Sequence, residues 1–241
     1  MTEELPPEYA PHYPDVARAG SLRAALQAEA DRAGLRLEGG PTETTAWRLT
    51  DAKVRSGERT VYVDLLPGDR QFTVACYVRE VRMASGRTDD LAAVAAAVAD
   101  WQRPVPVREL VTRRPFLGTW ELAEAHERGE PIPIRWKQLL ANRNRRTKGL
   151  REFIEAAHAE PRLRALSPGM AMWWVTFSRR AEDPISHDLP MVRPLGEDRF
   201  EVRHRAEDRP PLITTGVAAT VAAVLDLLPE DAVPEPHLPM I

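Results

Sequence analysis

Apolar positions along the first hundred residues change their period twice. From about Val16 to Gly34, Leu22, Ala25, Leu26, Ala30 and Ala33 recur at helical spacing, with Ser21 placed to cap and Gly34 to terminate. Three segments near 44–50, 59–66 and 71–80 then read as strands. The third is the clearest, because Phe72, Val74, Cys76 and Val78 alternate with Thr73, Ala75, Tyr77 and Arg79. Helical spacing returns in Leu91, Val94, Ala95, Val98 and Trp101, behind Thr88 as an N-cap and Asp89 and Asp90 at the positive helix end.

The same order recurs. Leu150, Phe153, Ile154 and Ala157 form a helical stripe, strand-like segments follow near 171–178, 190–195 and 199–204, and a last helix carries Val217, Thr220, Val221, Val224, Leu227 and Leu228 behind Thr214 or Thr215. The halves also share residues. One constant shift pairs Leu22-Arg23 with Leu150-Arg151, Leu35-Arg36 with Leu163-Arg164, and Gly68, Phe72 and Val74 with Gly196, Phe200 and Val202. Each glycine falls where a turn should feed the third strand, and each phenylalanine opens that strand's inward face. A two-residue slip then aligns the alanine-rich helices. A period this long indicates a tandem pair and not a solenoid.

The expected fold class is therefore α+β: two related helix–three-strand–helix halves with antiparallel sheets, joined by a helical insertion. The boundaries read as an irregular arm (1–15), a first half (16–101), a connector (102–144), a second half (145–229) and a tail (230–241). The connector opens with RPVPVRE, stiffened by proline, and continues with short helices near 119–128 and 134–143 parted by GEPIP. An insertion between two copies bridges them or covers their junction, so a pocket between the halves is the expected site.

Composition narrows the function classes. The 241 residues are 43% hydrophobic and 29% charged with a formal net charge of −3, an ordinary globular balance that disfavours a general nucleic-acid binder. Only Lys53, Lys137 and Lys148 among the basic residues are lysines; with abundant alanine and 22 prolines this points to a GC-rich bacterial genome. Cys76 is the single cysteine, which rules out an intramolecular disulfide or a thiolate metal cluster, and its place on the apolar face of a strand predicts a buried core residue. The N-terminal TEELPPEYAPHYPD lacks the basic and apolar regions of a signal peptide, and the apolar run Leu91–Ala99 is too short to span a bilayer. A cytoplasmic protein without a membrane partner is expected.

Two regions could carry chemistry. Arg135, Lys137, Arg143, Arg145, Arg146, Lys148 and Arg151 run without an intervening acid, just after Glu121, Glu124, Glu127 and Glu130. Such a run grips carboxylate, phosphate or an acidic protein surface, or else is a solvated helix face. The second region, SRRAEDPISHDLP, crowds Glu182, Asp183, His187 and Asp188 around a proline turn. His187 with Asp183 and Asp188 could serve as a general base, while the spacing fits no metal-ligand pattern and a turn-rich surface loop explains it equally. The other histidines show no pairing, His126 and His158 reading as helix-surface residues. Trp173 and Trp174, adjacent on the predicted strand 171–178, should point to opposite faces, one into the core and one toward a helix, ligand or partner. No P-loop, dinucleotide-binding glycine pattern, G-x-S-x-G elbow or kinase signature occurs, and no cofactor or metal is expected.

The segment EAAHAEPRLRALSPGMAMWWVTFSR resembles the signature stretch of a family of uncharacterised proteins of high-GC bacteria that are labelled as taking part in natural-product biosynthesis. The matching positions are Ala156-Ala157, Pro161, Arg162-Leu163-Arg164, Leu166, Pro168 and Phe177-Ser178, followed by the Pro184 loop, the Gly196 turn with Phe200 and Val202, and the helix ending Leu228-Pro229. Where the family carries a Ser-His pair before the strand, this chain has Ala171 and Met172. The resemblance implies a pathway context and no catalytic residues. The function expected from it is an accessory or tailoring protein of a specialised-metabolite pathway, without a cofactor, taking a small-molecule intermediate. The alternative is a non-catalytic adaptor that docks an acidic peptide, carrier protein or other partner through Arg135–Arg151. Enzyme and binder both stay open at this point.

Overall fold

The computed structural model describes residues 4–38, 49–143, 149–204, 210–237 and 240. The chain forms two compact units, one of residues 1–127 with 240–241 and the other of residues 128–239.

In the first unit α1 (Pro14–Ala19) stops at Gly20, whose φ of +82° ends the helix, and Ser21 starts α2 (Leu22–Arg32) by accepting the Ala24 N–H at 3.1 Å. The continuous helix expected from Val16 to Gly34 is therefore two. Four antiparallel strands follow as a meander: β1 (Asp51–Ser56), β2 (Arg59–Leu65), β3 (Phe72–Val78) and β4 (Val81–Thr88). The strand expected at 44–50 begins instead at Asp51; residues 44–48 lie outside the described residues. Asp90 then caps α3 (Leu91–Trp101) by accepting the Ala92 and Ala93 N–H groups, a position the sequence reading gave to Thr88. α4 (Val107–Arg113) arises within the segment read as a stiff connector, because Pro106 supplies the extended entry to a helix. β5 (Leu117–Gly118) pairs with β4, and α5 is Glu121–Arg128. α2 and α3 pack on one face of the sheet, which runs β1-β2-β3-β4-β5. Val54, Val61, Val63, Phe72, Val74 and Cys76 point into that core.

The second unit contains α6 (Pro131–Ala141), α7 (Arg151–Ala159), the single turn α8 (Pro161–Arg164), the strands β6 (Ser167–Ala171), β7 (Trp174–Ser178), β8 (Pro190–Gly196), β9 (Arg199–His204) and β10 (Leu212–Thr215), and finally α9 (Val217–Leu227). All neighbouring strands are antiparallel, in the order β10-β9-β8-β7-β6. α7 and α9 pair as α2 and α3 do. Trp136, Phe153, Leu163, Leu166, Val175, Phe177 and Val202 are in the core.

The repeated plan is thus helix, four-strand meander, helix, with β1–β4 matched by β7–β10. A mixed fold of two similar sheets was expected, and the extra strand in each meander is the finding. Gly68 and Gly196 hold φ of +93° and +87° in the turns before β3 and β9, a conformation that favours glycine, and Phe72 and Phe200 take inward positions on those strands. Each sheet adds a fifth strand, β5 beyond β4 in one and β6 beyond β7 in the other.

Candidate functional site

The chemistry of the second unit gathers where three segments meet: the start of α6, the loop leaving β7, and the tail after α9. They line a cavity of about 340 Å³, within the usual size range of small-molecule sites. α6 contributes Pro131, Ile132 and Pro133, a rigid apolar wall; proline at the first helical position lets the helix begin earlier than the expected 134.

The loop is organised by its own side chains. Ser186 Oγ accepts the Arg179 N–H at 2.8 Å, while Ser178 Oγ accepts the N–H groups of Ser186 and Arg180 at 3.0 and 3.1 Å. Arg179 places its guanidinium between Asp188, at 2.9 Å, and Asp231 of the tail, at 3.2 Å, and also donates to the Asp231 carbonyl. Arg180 pairs with Glu235, whose own N–H donates to the Arg179 carbonyl at 2.9 Å. The tail is thereby laid along the loop, and this carries His237 to Glu182: Nδ1 stands 3.3 Å from Oε2, both side chains being about nine-tenths buried. The imidazole also lies against Gly129, where an added Cβ would stand 3.5 Å from its Cδ2.

Arg135 reaches the same loop from α6, donating to the Ala181 carbonyl. Burial pushes its guanidinium below the ordinary arginine value, and the carboxylates of Glu182 and Asp183 pull the other way. It remains the cation behind Glu182, so the first member of the basic run is part of the cavity's frame.

The other residues singled out in the sequence are placed elsewhere. Lys137 is exposed on α6. Arg143 is exposed and donates to the Leu140 carbonyl at 3.3 Å, and Arg151 pairs with Glu155 on the next turn of α7. Arg145, Arg146 and Lys148 lie outside the described residues. Asp183 and His187 are exposed on the loop, and Asp188 is engaged by Arg179. Partial burial works to raise the Asp188 carboxyl, but the hydrogen bond and charge of Arg179, with hydrogen bonds from its own backbone N–H and from Ser186, together outweigh it and leave the pKa below the ordinary carboxylate value. Among the described residues no hydrogen bond or ion pair links His187 to Asp183 or Asp188. Trp173 is not on a strand: with Met172, at φ +56°, it forms the exposed turn between β6 and β7. Trp174 lies on the open face of the sheet beneath the guanidinium groups of Arg193 and Arg203, 4.9 and 5.7 Å from its ring, and both arginines pair with the buried Glu201. Of the two histidines read as surface residues, His126 is buried on α5 and His158 packs on Trp136 with ring centroids 5.2 Å apart.

His237 was missed because its partner is far along the chain and its surroundings, PEPHLP, carry no motif. The usable signal was the alternation of acids and a histidine among prolines in the tail, which matches the arginine doublet Arg179-Arg180.

Residues 131–236 match the model of a family of unknown function, DUF6193. No curated protein and no solved structure matches the chain.

Proposed function

We propose that the second unit binds a small, largely apolar molecule in the cavity between α6, the β7 loop and the tail, and that Glu182 with His237 does acid–base work on it. The observation that carries this reading is the buried carboxylate–imidazole pair on the wall of a cavity with prolines and Ile132 opposite. An imidazole held beside a carboxylate at the edge of a cavity is placed to pass a proton to or from a bound group. No nucleophile is needed: the reaction class is a proton shift, isomerisation or cyclisation without a cofactor. The resemblance of the PRLRALSP region to proteins labelled for natural-product biosynthesis supplies the substrate context, an intermediate of a specialised-metabolite pathway.

The adaptor reading is less favoured, since Arg135 and Arg151 at the two ends of the basic run are engaged within the chain.

The test is native mass spectrometry of the purified chain after exposure to metabolite extracts. The wild type should retain a compound, and Ile132→Trp, which fills the cavity, should not, with its melting temperature unchanged. Glu182→Gln and His237→Gln should still retain the compound and leave it unconverted. Retention by Ile132→Trp equal to wild type would end the cavity reading; conversion by both polar variants would end the acid–base role.

A further inference from the structure

The open face of the first sheet is built differently from a plain solvated surface. Register fixes its rows: Lys53, Tyr62, Ala75 and Ser85 lie side by side across β1 to β4, with Tyr77 and Arg82 in the row on one side and Asp64, Thr73 and Arg87 in the row on the other. The small residues Ala75, Ser85 and Gly86 make the floor of a trough of about 530 Å³. Tyr62 and Tyr77 form one wall, their rings edge to face with centroids 5.3 Å apart.

Several arginines of this unit are matched with carboxylate, among them Arg70 with Asp15, Arg79 with Glu58, Arg108 with Glu124 and Arg114 with Asp100. Arg82 and Arg87 form no ion pair among the described residues; both are exposed, and Arg82 lies over the Trp120 ring at 5.2 Å. Lys53 likewise has only the Tyr62 ring, 5.1 Å away. The acid in the trough, Asp64, accepts from the Thr73 hydroxyl at 3.3 Å, on the strand pair away from β4. Along β4 the face presents Arg82, Ser85 and Arg87 in succession, the bulge opposite Cys76 and Tyr77 bringing them into phase. This is a hydroxyl flanked by two unneutralised guanidinium forks, a donor set suited to a carboxylate or phosphate. From Ser85 across Ala75 to Tyr62 is two strand spacings, about 10 Å, room for one or two fused rings lying on the alanine methyl against the phenols.

We propose that this trough is a second ligand site, for a flat aromatic molecule bearing one terminal oxyanion: the anion on Arg82, Ser85 and Arg87, the ring on Ala75 between Tyr62 and Tyr77. The site belongs to the first unit alone and does not depend on the cavity proposed above.

Calorimetric titration of the full chain with four probes tests it. 2-Naphthoate combines ring with carboxylate and AMP combines ring with phosphate; 2-naphthol has the ring alone and inorganic phosphate the anion alone. At least one of the first two should bind below about 1 mM, and which of them does so identifies the anion. The last two should bind at least about tenfold more weakly, the loss that follows from about 1.4 kcal/mol. Arg82→Gln with Arg87→Gln should weaken the binding probe by at least about tenfold, and Ala75→Phe, which fills the floor, should abolish binding while circular dichroism stays unchanged. Absence of binding by both composite probes would overturn the proposal, as would equal binding by the double variant or by Ala75→Phe.

Discussion

Tyr13 ties the N-terminal segment to the first sheet through a set of hydrogen bonds from its hydroxyl, and Tyr13→Phe isolates that set. The ring is fully buried, edge-on to Phe72 with centroids 5.4 Å apart, and phenylalanine keeps all of this packing. Only the hydroxyl is lost. Its oxygen accepts the Gln71 N–H at 2.8 Å and the Leu66 N–H at 3.2 Å, and its single proton can serve one of three carbonyls, of Leu66, Asp69 or Gln71, at 2.7–2.9 Å. The Leu66 N–H has a second acceptor, the Gln71 carbonyl at 3.0 Å, so its loss is partial. The Gln71 N–H is the group left without its acceptor. An orphaned donor costs roughly 1–3 kcal/mol and the donated bond a further ~0.5–1.5. Gln71 itself is exposed, so water reaches the turn from outside and the lower half of that range applies. The expected loss is about 2 kcal/mol. Urea denaturation followed by circular dichroism gives the magnitude, and hydrogen exchange should show faster exchange confined to the turn 66–71 and its flanks. A loss under about 0.5 kcal/mol, with protection in the turn unchanged, would refute the assignment of this hydroxyl as the clamp of the β2–β3 turn.

Two further outcomes follow from the same sheet. Gly86→Ala would place a Cβ 1.9 Å from the Phe116 carbonyl oxygen; β5 must leave β4, at a cost of at least about 2 kcal/mol in urea denaturation, whereas Gly118→Ala, whose nearest atom is 3.8 Å away, should be nearly neutral. Equal stability of the two variants would contradict the β4–β5 register. Burial pushes the Cys76 thiol up to about 12 from an ordinary 9.0. Between those values the unfolded thiol has lost its proton while the folded one keeps it, so the unfolded state binds fewer protons and stability falls as pH rises through that window, by up to about 1.4 kcal/mol per unit. A thiol reagent at pH 8 should leave native Cys76 unlabelled and label it fully in urea; rapid native labelling would contradict its burial.

Most of the longer helices and the paired glycine turns were legible in the sequence because each rests on local physics: apolar spacing, a capping oxygen, a positive φ that favours glycine. The strands that were not foreseen fail that condition in identifiable ways. β4 reads VRMASGRT, and its bulge puts Met83 and Ala84 both in the core, which breaks the two-residue alternation. β6 contains Pro168 and is admitted to the sheet because it is an edge, where a missing N–H costs nothing. β10 presents Leu212 and Ile213 largely to the exterior, so its apolar residues gave no inward face to detect. Reading Thr214 as a cap was a consequence, since Gly216 takes the cap position and Thr214 bonds to Thr220 instead.

The candidate site was half legible for a related reason. Charge runs are visible in one dimension, but whether a guanidinium is free depends on what folds onto it. Arg135 stands at the head of the longest basic run and is held on the Ala181 carbonyl of the β7 loop, while Arg82 and Arg87, unremarkable in the sequence, form no ion pair among the described residues on the face set by the register of β4. Arg179 and Arg180 look like part of a polar loop, yet they fix the tail and so bring His237 to Glu182. The residues proposed to act are those whose charge balance depends on long-range pairing or its absence. A search for function by local motif passes over them, and the register of one strand and the path of one tail locate them.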